Sequence, residues 1–211
     1  MICVCIAEKS AESIVAALDR LDFAEVRLDA IEEPAQVVRN LFSHPSAKVA
    51  TMGAWSESND RSELLEAAIE GGAEFADIDL ATSPQVLARS ISIAKQHRCQ
   101  VIVSHHDFER TPDATTLDAI VNRCFDAGAN IAKIACLVHG SDDCERLLAL
   151  LVRHSNVLPV TMGDQGKAAR LLALMRGVPF MYASYAPGKE TAPGQIDHVT
   201  MRRLLHGLQR G

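Results

Sequence analysis

The sequence predicts a closed (β/α)₈ TIM barrel, formed as one compact domain over residues 1–211. Short runs rich in Val, Ile and Ala alternate with longer segments of helical period, which is typical of a parallel sheet with crossover helices. Eight such runs begin about 22 to 31 residues apart, a spacing that fits repeated βα units. With 48% hydrophobic residues, the chain is long enough to bury a large core within one domain.

The predicted strands and helices alternate along the whole chain. The strands begin near Ile2, Ala24, Ala47, Glu74, Cys99, Asn130, Val157 and Pro179. The helices between them include segments 10–21, 83–97, 113–127, 141–154 and 197–208. Their expected N-cap residues are Ser10, Ser83, Asp113, Ser141 and Asp197. An open doubly wound sheet is the alternative, but its GxGxxG loop is absent after the first strand, where Ala7, Glu8 and Lys9 stand.

Composition limits the function and the compartment. The formal net charge is −6, which gives no general attraction to nucleic acid or to anionic membranes, so an anionic ligand must be held by local cations. The six cysteines contain no CxxC pair, and most lie in apolar runs, as in a reduced cytoplasmic protein. We see no signal peptide and no apolar stretch near the roughly 18 residues that a membrane span requires.

Ionisable residues interrupt the predicted strands, which should read as nearly continuous apolar runs in a parallel barrel. Glu25, Arg27 and Asp29 alternate with apolar residues in the second strand, predicted over residues 24–30, so they share one face. Asp77 and Asp79 do the same in the fourth strand. One interpretation is a set of ion pairs that tie the barrel together. The other is an active site, because catalytic groups in such barrels gather at the C-terminal ends of strands.

Lys133 is the sharpest single signal in the sequence. It lies inside the sixth strand between apolar neighbours, where burial should lower its pKa and make a neutral, nucleophilic amine accessible near neutral pH. Such an amine attacks ketones to form a Schiff base. The alternative is a structural lysine whose tip reaches water or pairs with Glu25 or Asp77.

His105, His106 and Asp107 are expected just after the fifth strand, in the segment SHHDFERTP. A histidine there is suited to move protons, because its ordinary pKa of about 6.5 lies close to neutral pH. His106 is the preferred candidate, with His105 as a competitor, and Glu57 lies in the loop just after the third strand. We expect no metal site, because no other His or Cys cluster supplies a third ligand at a familiar spacing.

Two loops near the C-terminus suggest anion binding and a cover over the site. The segment MGDQGKAAR leads from the seventh strand into a helix, where free backbone N–H groups favour an anion and Arg170 can hold a carboxylate. The eleven residues 185–195, called the lid segment here, contain two Pro-Gly pairs and are predicted to form a mobile lid. Ordinary turns and a solvated arginine are the alternatives.

Five segments, taken together, resemble the type I 3-dehydroquinate dehydratases. They occur in the same order as in that family and span almost the whole chain, with Lys133 27 positions after His106. The segments are EVRLD at 25–29, SHHDFERTP at 104–112, AKIA at 132–135, MGDQGKAAR at 162–170 and TAPGQ at 191–195. The resemblance implies a homodimeric barrel without metal or organic cofactor, which converts 3-dehydroquinate to 3-dehydroshikimate by syn elimination in the shikimate pathway of aromatic amino acid biosynthesis.

The resemblance also implies a role for each matching residue. Lys133 is expected to form the imine with the C3 ketone, and His106 to carry the C2 proton to the departing C1 hydroxyl. The remaining matches are Glu25 and Arg27 as substrate contacts, Arg170 as the carboxylate ligand, Thr191 and Gln195 as lid residues, and Glu57 as the acid that orients the imidazole.

The chain departs from the family pattern at three positions. Gly53 stands where the family commonly has an arginine, Thr191 stands where serine is usual, and His105 replaces a residue that is usually uncharged. The missing arginine keeps open a non-catalytic barrel that binds a related cyclic acid. A class I aldolase shares the barrel and the lysine, but the loop after the seventh strand is a poor phosphate site.

Overall fold

The structure is a computed structural model that describes residues 1–53 and 59–208. It contains eight strands: β1 (Ile2–Ile6), β2 (Ala24–Arg27), β3 (Ala47–Met52), β4 (Phe75–Asp79), β5 (Gln100–Asp107), β6 (Ile131–Leu137), β7 (Val157–Met162) and β8 (Met181–Ser184). The α-helices that follow them are α1 (Ala11–Leu18), α2 (Ala35–Leu41), α3 (Asn59–Gly71), α4 (Pro84–Gln96), α5 (Ala114–Ala127), α6 (Ser141–Arg153), α7 (Lys167–Met175) and α8 (His198–Leu208). The pattern is eight βα repeats.

The strands form one sheet in the order β7-β6-β5-β4-β3-β2-β1-β8. Within the chain, two compact units are distinguished. The first, called the β2–β5 unit, comprises Ile6–Ser104 and Arg123–Ile131. The second, called the β6–β8 unit, comprises Met1–Cys5, His105–Asn122 and the chain from Ala132 onward. It therefore also contains most of β1 and the last three residues of β5. The single domain over residues 1–211 stays a prediction.

The β2–β5 unit is built on parallel strands whose apolar residues are almost fully buried. The pairing of β2 with β3 places Glu25 beside Val49 and Arg27 beside Thr51. The pairing of β4 with β5 places Asp79 beside Ser104. Since side chains alternate along a strand, Glu25 and Arg27 lie on one face of β2.

The β6–β8 unit brings β1 beside β8 and β6 beside β7. Cys5 is the register partner of Ser184, and Lys133 is the register partner of Leu158. The chain after the lid segment returns to the sheet, because the Ser184 N–H donates to the carbonyl of Ile196 at 3.0 Å. These contacts fix both ends of the lid segment near the C-terminal ends of β1 and β8.

The predicted strands all exist, and each starts within two residues of its expected position. Two predicted ends are wrong. β2 stops at Arg27, so Asp29 lies in the following turn, where it pairs with Arg27. β5 continues through His105, His106 and Asp107, which were expected after the strand.

Three of the predicted helix caps are confirmed by hydrogen bonds. Ser10, Asp113 and Asp197 each accept a backbone N–H three residues later. Ser83 occupies its N-cap position without such a bond. Ser141 is the first helical residue rather than the cap, which is Gly140. Among the described helices, none is long and apolar enough to cross a membrane.

Candidate active site

Lys133 is buried in the middle of β6. Its side chain is only 6% exposed, and its Nζ lies 4.5 Å from the centroid of the Tyr182 ring. Tyr182 belongs to β8, which does not pair with β6. The amine therefore extends over the face of the sheet on which the tyrosine ring lies. A cation over an aromatic face is stabilised by the ring quadrupole.

The Tyr182 ring is itself held in place by packing. It is 3% exposed and meets Phe180 edge to face, with ring centroids 5.5 Å apart and an interplanar angle of 89°. Such an arrangement is the favourable one for two aromatic rings. Sequence reasoning missed Tyr182, because a tyrosine in the apolar run PFMYAS looks like ordinary core.

His106 is the penultimate residue of β5, which neighbours β6 in the sheet. Its ring stacks on Phe108 with centroids 6.0 Å apart and planes only 10° from parallel. The turn that follows is fixed by Asp107, whose Oδ1 accepts the backbone N–H groups of Glu109 and Arg110, both at 2.9 Å. His106 therefore stands at a rigid strand end rather than in a flexible loop.

The loop after β5 is bonded to the C-terminal end of β6. The Thr111 hydroxyl donates to the carbonyl of Leu137 at 2.8 Å, and Nε2 of His139 donates to the carbonyl of Glu109 at 2.8 Å. Arg146 on α6 also donates to the backbone carbonyls of Pro112 and Thr111. These bonds hold the strand that carries His106 against the strand that carries Lys133.

Arg170 is a buried cation near the end of β7. It is 1% exposed, its Nε donates to the carbonyl of Thr161 at 2.8 Å, and its Nη2 donates to the carbonyl of Pro193 at 3.3 Å. Its Nη1 is buried and has no hydrogen-bond partner among the described residues. Burial lowers the pKa of Arg170 to about 10, an effect that the neighbouring Cys5 partly offsets.

A guanidinium in this state is ready to accept an anion. It forms no ion pair with any residue that the structure describes, although a buried charge without a partner is costly. A pKa of about 10 still leaves it protonated at neutral pH. Because Arg170 is the fourth residue of α7, the helix N-terminus adds a favourable potential for negative charge.

The lid segment is anchored through Gln195, which is 6% exposed. Its Oε1 accepts hydrogen bonds from the backbone N–H of Thr191 at 2.7 Å and from the Thr191 hydroxyl at 3.2 Å. Its Nε2 donates to the sulfur of Cys5 at 3.2 Å. Sequence reasoning identified both lid residues but missed Cys5, which it read as a small core residue.

Two glycines allow the lid segment to approach the loop after β7. Gly163 and Gly194 have φ angles of 85° and 72°, and the Gly163 N–H donates to the carbonyl of Pro193 at 3.0 Å. A Cβ on Gly194 would lie 2.1 Å from the carbonyl oxygen of Gly163. Any side chain at position 194 therefore displaces one of the two segments.

The predicted residues of the β2–β5 unit form pairs of their own. Glu25 is 2% exposed and accepts a hydrogen bond from the Thr51 hydroxyl at 2.6 Å. Arg27 donates from Nε and Nη2 to the two carboxylate oxygens of Asp29, both at 2.8 Å. The ion-pair interpretation is thus correct for Arg27 and Asp29. Glu57 lies outside the described residues.

The structure places most of the predicted site in one unit. Five of the predicted site residues belong to the β6–β8 unit: His106, Lys133, Arg170, Thr191 and Gln195. Glu25 and Arg27 belong to the β2–β5 unit. A nucleophilic amine, an imidazole, an unneutralised guanidinium and a carboxamide suit a small carbonyl compound that bears a carboxylate.

Comparison with known proteins gives one consistent result. The family model of "Type I 3-dehydroquinase" matches residues 2–211. A 3-dehydroquinate dehydratase of Methanococcus vannielii is 30% identical over 220 residues, covering 99% of this chain and 100% of its own. One of Methanococcus maripaludis is 32% identical over 225 residues, with the same shares covered.

Solved structures agree on the fold. The 3-dehydroquinate dehydratase of Aquifex aeolicus superposes with a TM-score of 0.83 and 25% identity, covering 100% of both chains. The type I enzyme of Clostridium difficile, solved with covalently modified comenic acid, gives a TM-score of 0.84 at 22% identity and covers 99% of this chain and 92% of its own. The predicted (β/α)₈ fold class is confirmed.

The close approach of Gly194 to Gly163 gives a prediction with a matched control. Gly194→Ala should detach the lid segment, because the new Cβ cannot fit against the Gly163 carbonyl. We expect hydrogen exchange of peptides that cover residues 185–196 to accelerate at least about tenfold, since a lost local contact raises the open population. Mass spectrometry of the exchanged protein measures this.

Gly188→Ala is the control for this prediction. Gly188 lies in the same segment with a φ of 81°, but a Cβ there meets nothing within 4 Å. It therefore reports the backbone strain alone. Equal acceleration in the two variants would show that strain, rather than docking against Gly163, explains the effect.

Proposed function

Because the chain belongs to the type I 3-dehydroquinase family, we propose that it removes water from 3-dehydroquinate through an imine formed on Lys133. The product is 3-dehydroshikimate, and the enzyme is a hydro-lyase. The single observation that carries the proposal is the position of the Lys133 amine, buried in β6 and directed at an aromatic ring.

The first step joins the substrate to the enzyme. The neutral Lys133 amine attacks the C3 ketone, and the carbinolamine loses water to give a protonated imine. The imine carries a positive charge next to C2, so it accepts the electron pair that remains when a proton leaves C2. The Tyr182 ring face, 4.5 Å from the Nζ, favours this cation.

The second step is the elimination itself. His106 removes the C2 proton, the electron pair moves toward the imine, and the C1 hydroxyl then departs with the proton that His106 returns. The hydroxyl leaves as water, and a second water hydrolyses the imine to free the product and Lys133. One imidazole thus serves as base and then as acid, without a metal or an organic cofactor.

Other residues bind and orient the substrate. Arg170 holds the carboxylate with the nitrogen that has no partner among the described residues. Gln195 and Thr191 cover the ring from the lid segment. Glu25 and Arg27 stay predicted substrate contacts, as the family resemblance implies. Glu57 lies outside the described residues and stays the residue that the family resemblance assigns to orienting His106.

The cellular setting follows from the family. We propose a cytoplasmic enzyme of the shikimate pathway, which leads to aromatic amino acids, and a homodimer that binds neither nucleic acid nor membranes. The net charge of −6 and the six free cysteines support this setting.

Gly53 favours one competing function, a barrel that binds a related cyclic acid without turnover. The family commonly has an arginine at that position, so binding here depends more strongly on Arg170. Incubation with 3-dehydroquinate and borohydride, followed by peptide mass mapping, separates the two functions. The enzyme gives a reduced adduct on Lys133, and the binding module gives only ligand-induced thermal stabilisation.

Lys133→Ala is expected to abolish both the borohydride adduct and the formation of 3-dehydroshikimate, because the variant lacks the amine that forms the imine. Product formation is followed by its enone absorbance. Lys167→Ala is the control, since Lys167 is exposed on α7 and pairs with Asp164 at the surface. Turnover by the Lys133 variant would refute the imine mechanism.

His106→Ala should separate imine formation from elimination. We expect the borohydride adduct to persist while kcat falls by about 10² to 10⁴, because general acid–base catalysis contributes about that factor. His97→Ala, at an exposed position at the end of α4, controls for the loss of an imidazole elsewhere in the chain. A kcat within about threefold of the wild type would assign proton transfer to another group.

Tyr182→Leu tests the role of the ring face. We expect kcat to fall about three- to tenfold, since a partly desolvated cation–π contact is worth about 1 kcal/mol. Tyr182→Phe keeps the ring and should stay within about twofold of the wild type. Equal losses in the two variants would show that the hydroxyl, rather than the ring, is what matters.

A further inference from the structure

Cys5 occupies a position in the β6–β8 unit that the proposed chemistry does not explain. It lies in β1 close to the C-terminal end, with 2% of its surface exposed. Its sulfur accepts a hydrogen bond from Nε2 of Gln195 at 3.2 Å. The two residues are 190 positions apart in sequence, so the contact joins the first strand directly to the lid segment.

The backbone brings Gln195 to this position. Cys5 is the register partner of Ser184 in β8, and the Ser184 N–H donates to the carbonyl of Ile196 at 3.0 Å. The residue that follows Gln195 is thus bonded to the strand beside Cys5. The contact between the amide and the sulfur follows from the ordered sheet, so it does not depend on a bound ligand.

The other end of the Gln195 side chain is occupied as well. Its Oε1 accepts both the N–H and the hydroxyl of Thr191, which closes the lid segment into a loop. The sulfur of Cys5 therefore fixes the direction of the whole carboxamide. Without an acceptor there, a buried N–H group would lose its hydrogen bond, which costs about 1–3 kcal/mol.

Arg170 lies on the other side of the same arrangement. Its Nη2 donates to the carbonyl of Pro193, two residues before Gln195. Cys5 and Arg170 hold neighbouring points of the lid segment.

We propose that Cys5 is a positioning residue of the substrate site: its sulfur sets Gln195, and with it the lid segment, beside Arg170 before substrate binds. The inference rests on the proposed function only for the claim that Gln195 and Arg170 contact substrate. The positioning itself is a property of the free protein. Two measurements test the two parts separately.

The first measurement is limited proteolysis of the free protein. Lys189 is an exposed tryptic site in the lid segment. Cys5→Ala should accelerate cleavage after Lys189 about five- to tenfold, as expected for the loss of one hydrogen bond to a buried group. Cys5→Ser keeps an acceptor and should stay within about twofold of the wild type.

Cys3→Ala is the matched control, because Cys3 is buried in the same strand and, two residues earlier, on the same face. It should leave the cleavage rate unchanged. Gln195→Leu removes the donor from the opposite side, so it should accelerate cleavage as Cys5→Ala does, and the double variant should add nothing further. Additive increases in the cleavage rate of the double variant, or an increase in Cys3→Ala equal to that in Cys5→Ala, would overturn the proposal. If Cys5→Ala fails to fold, the cleavage rate of Gln195→Leu still tests the contact.

The second measurement is steady-state kinetics with 3-dehydroquinate. Cys5→Ala should raise KM about five- to tenfold while kcat changes by less than about threefold, and Cys5→Ser should restore KM. A loss in kcat with unchanged KM would contradict a positioning role. If the wild type gives neither product nor adduct, the proposed function fails, and the proteolysis comparison still decides the role of Cys5.

Discussion

The burial of two cations is the constraint on which the β6–β8 unit depends. Lys133 is 6% exposed and Arg170 is 1% exposed, so neither side chain has the hydration that a charged group has in water. The fold compensates for each in a different way. Lys133 meets the face of Tyr182, and Arg170 donates to the backbone carbonyls of Thr161 and Pro193.

The carbonyl groups around Arg170 do not neutralise its charge in the way that a carboxylate would. An aromatic face and neutral carbonyl groups stabilise a charge while leaving the group able to react or to bind an anion. The surroundings of Arg27 differ in this respect, because its Nε and Nη2 both donate to the carboxylate of Asp29. Arg170 therefore keeps a buried nitrogen available for an anion, whereas the Arg27 guanidinium is paired with Asp29.

Much of this arrangement could be predicted from the sequence. Alternating apolar runs located all eight strands, because burial on both faces of a parallel sheet leaves a strong local signal. Lys133 was selected as a charge where an apolar residue was expected, and Arg170 as a cation one turn into the helix that follows a glycine-containing loop. The predicted end of β2 was wrong. The alternation of charged and apolar residues continues to Asp29, but the strand ends at Arg27 and Asp29 pairs with Arg27 from the following turn.

Tyr182 and Cys5 could not be identified in the same way. Each lies in an apolar run and is itself compatible with the core, so nothing in the local pattern distinguishes it. Their roles come from contacts between residues far apart in the chain: Lys133 with Tyr182, and Gln195 with Cys5. Local periodicity carries no information about such pairs.

The chemical nature of Cys5 fits its contact with Gln195, two residues after the carbonyl that Arg170 holds. An aspartate there would accept the Gln195 amide more strongly, but it would add a buried negative charge to the unit that buries Arg170. A thiol is a weak, neutral acceptor that satisfies the amide and leaves most of the positive charge of Arg170 available. Arg170 thus combines deep burial with neutral carbonyl partners, which keeps its charge available for a ligand.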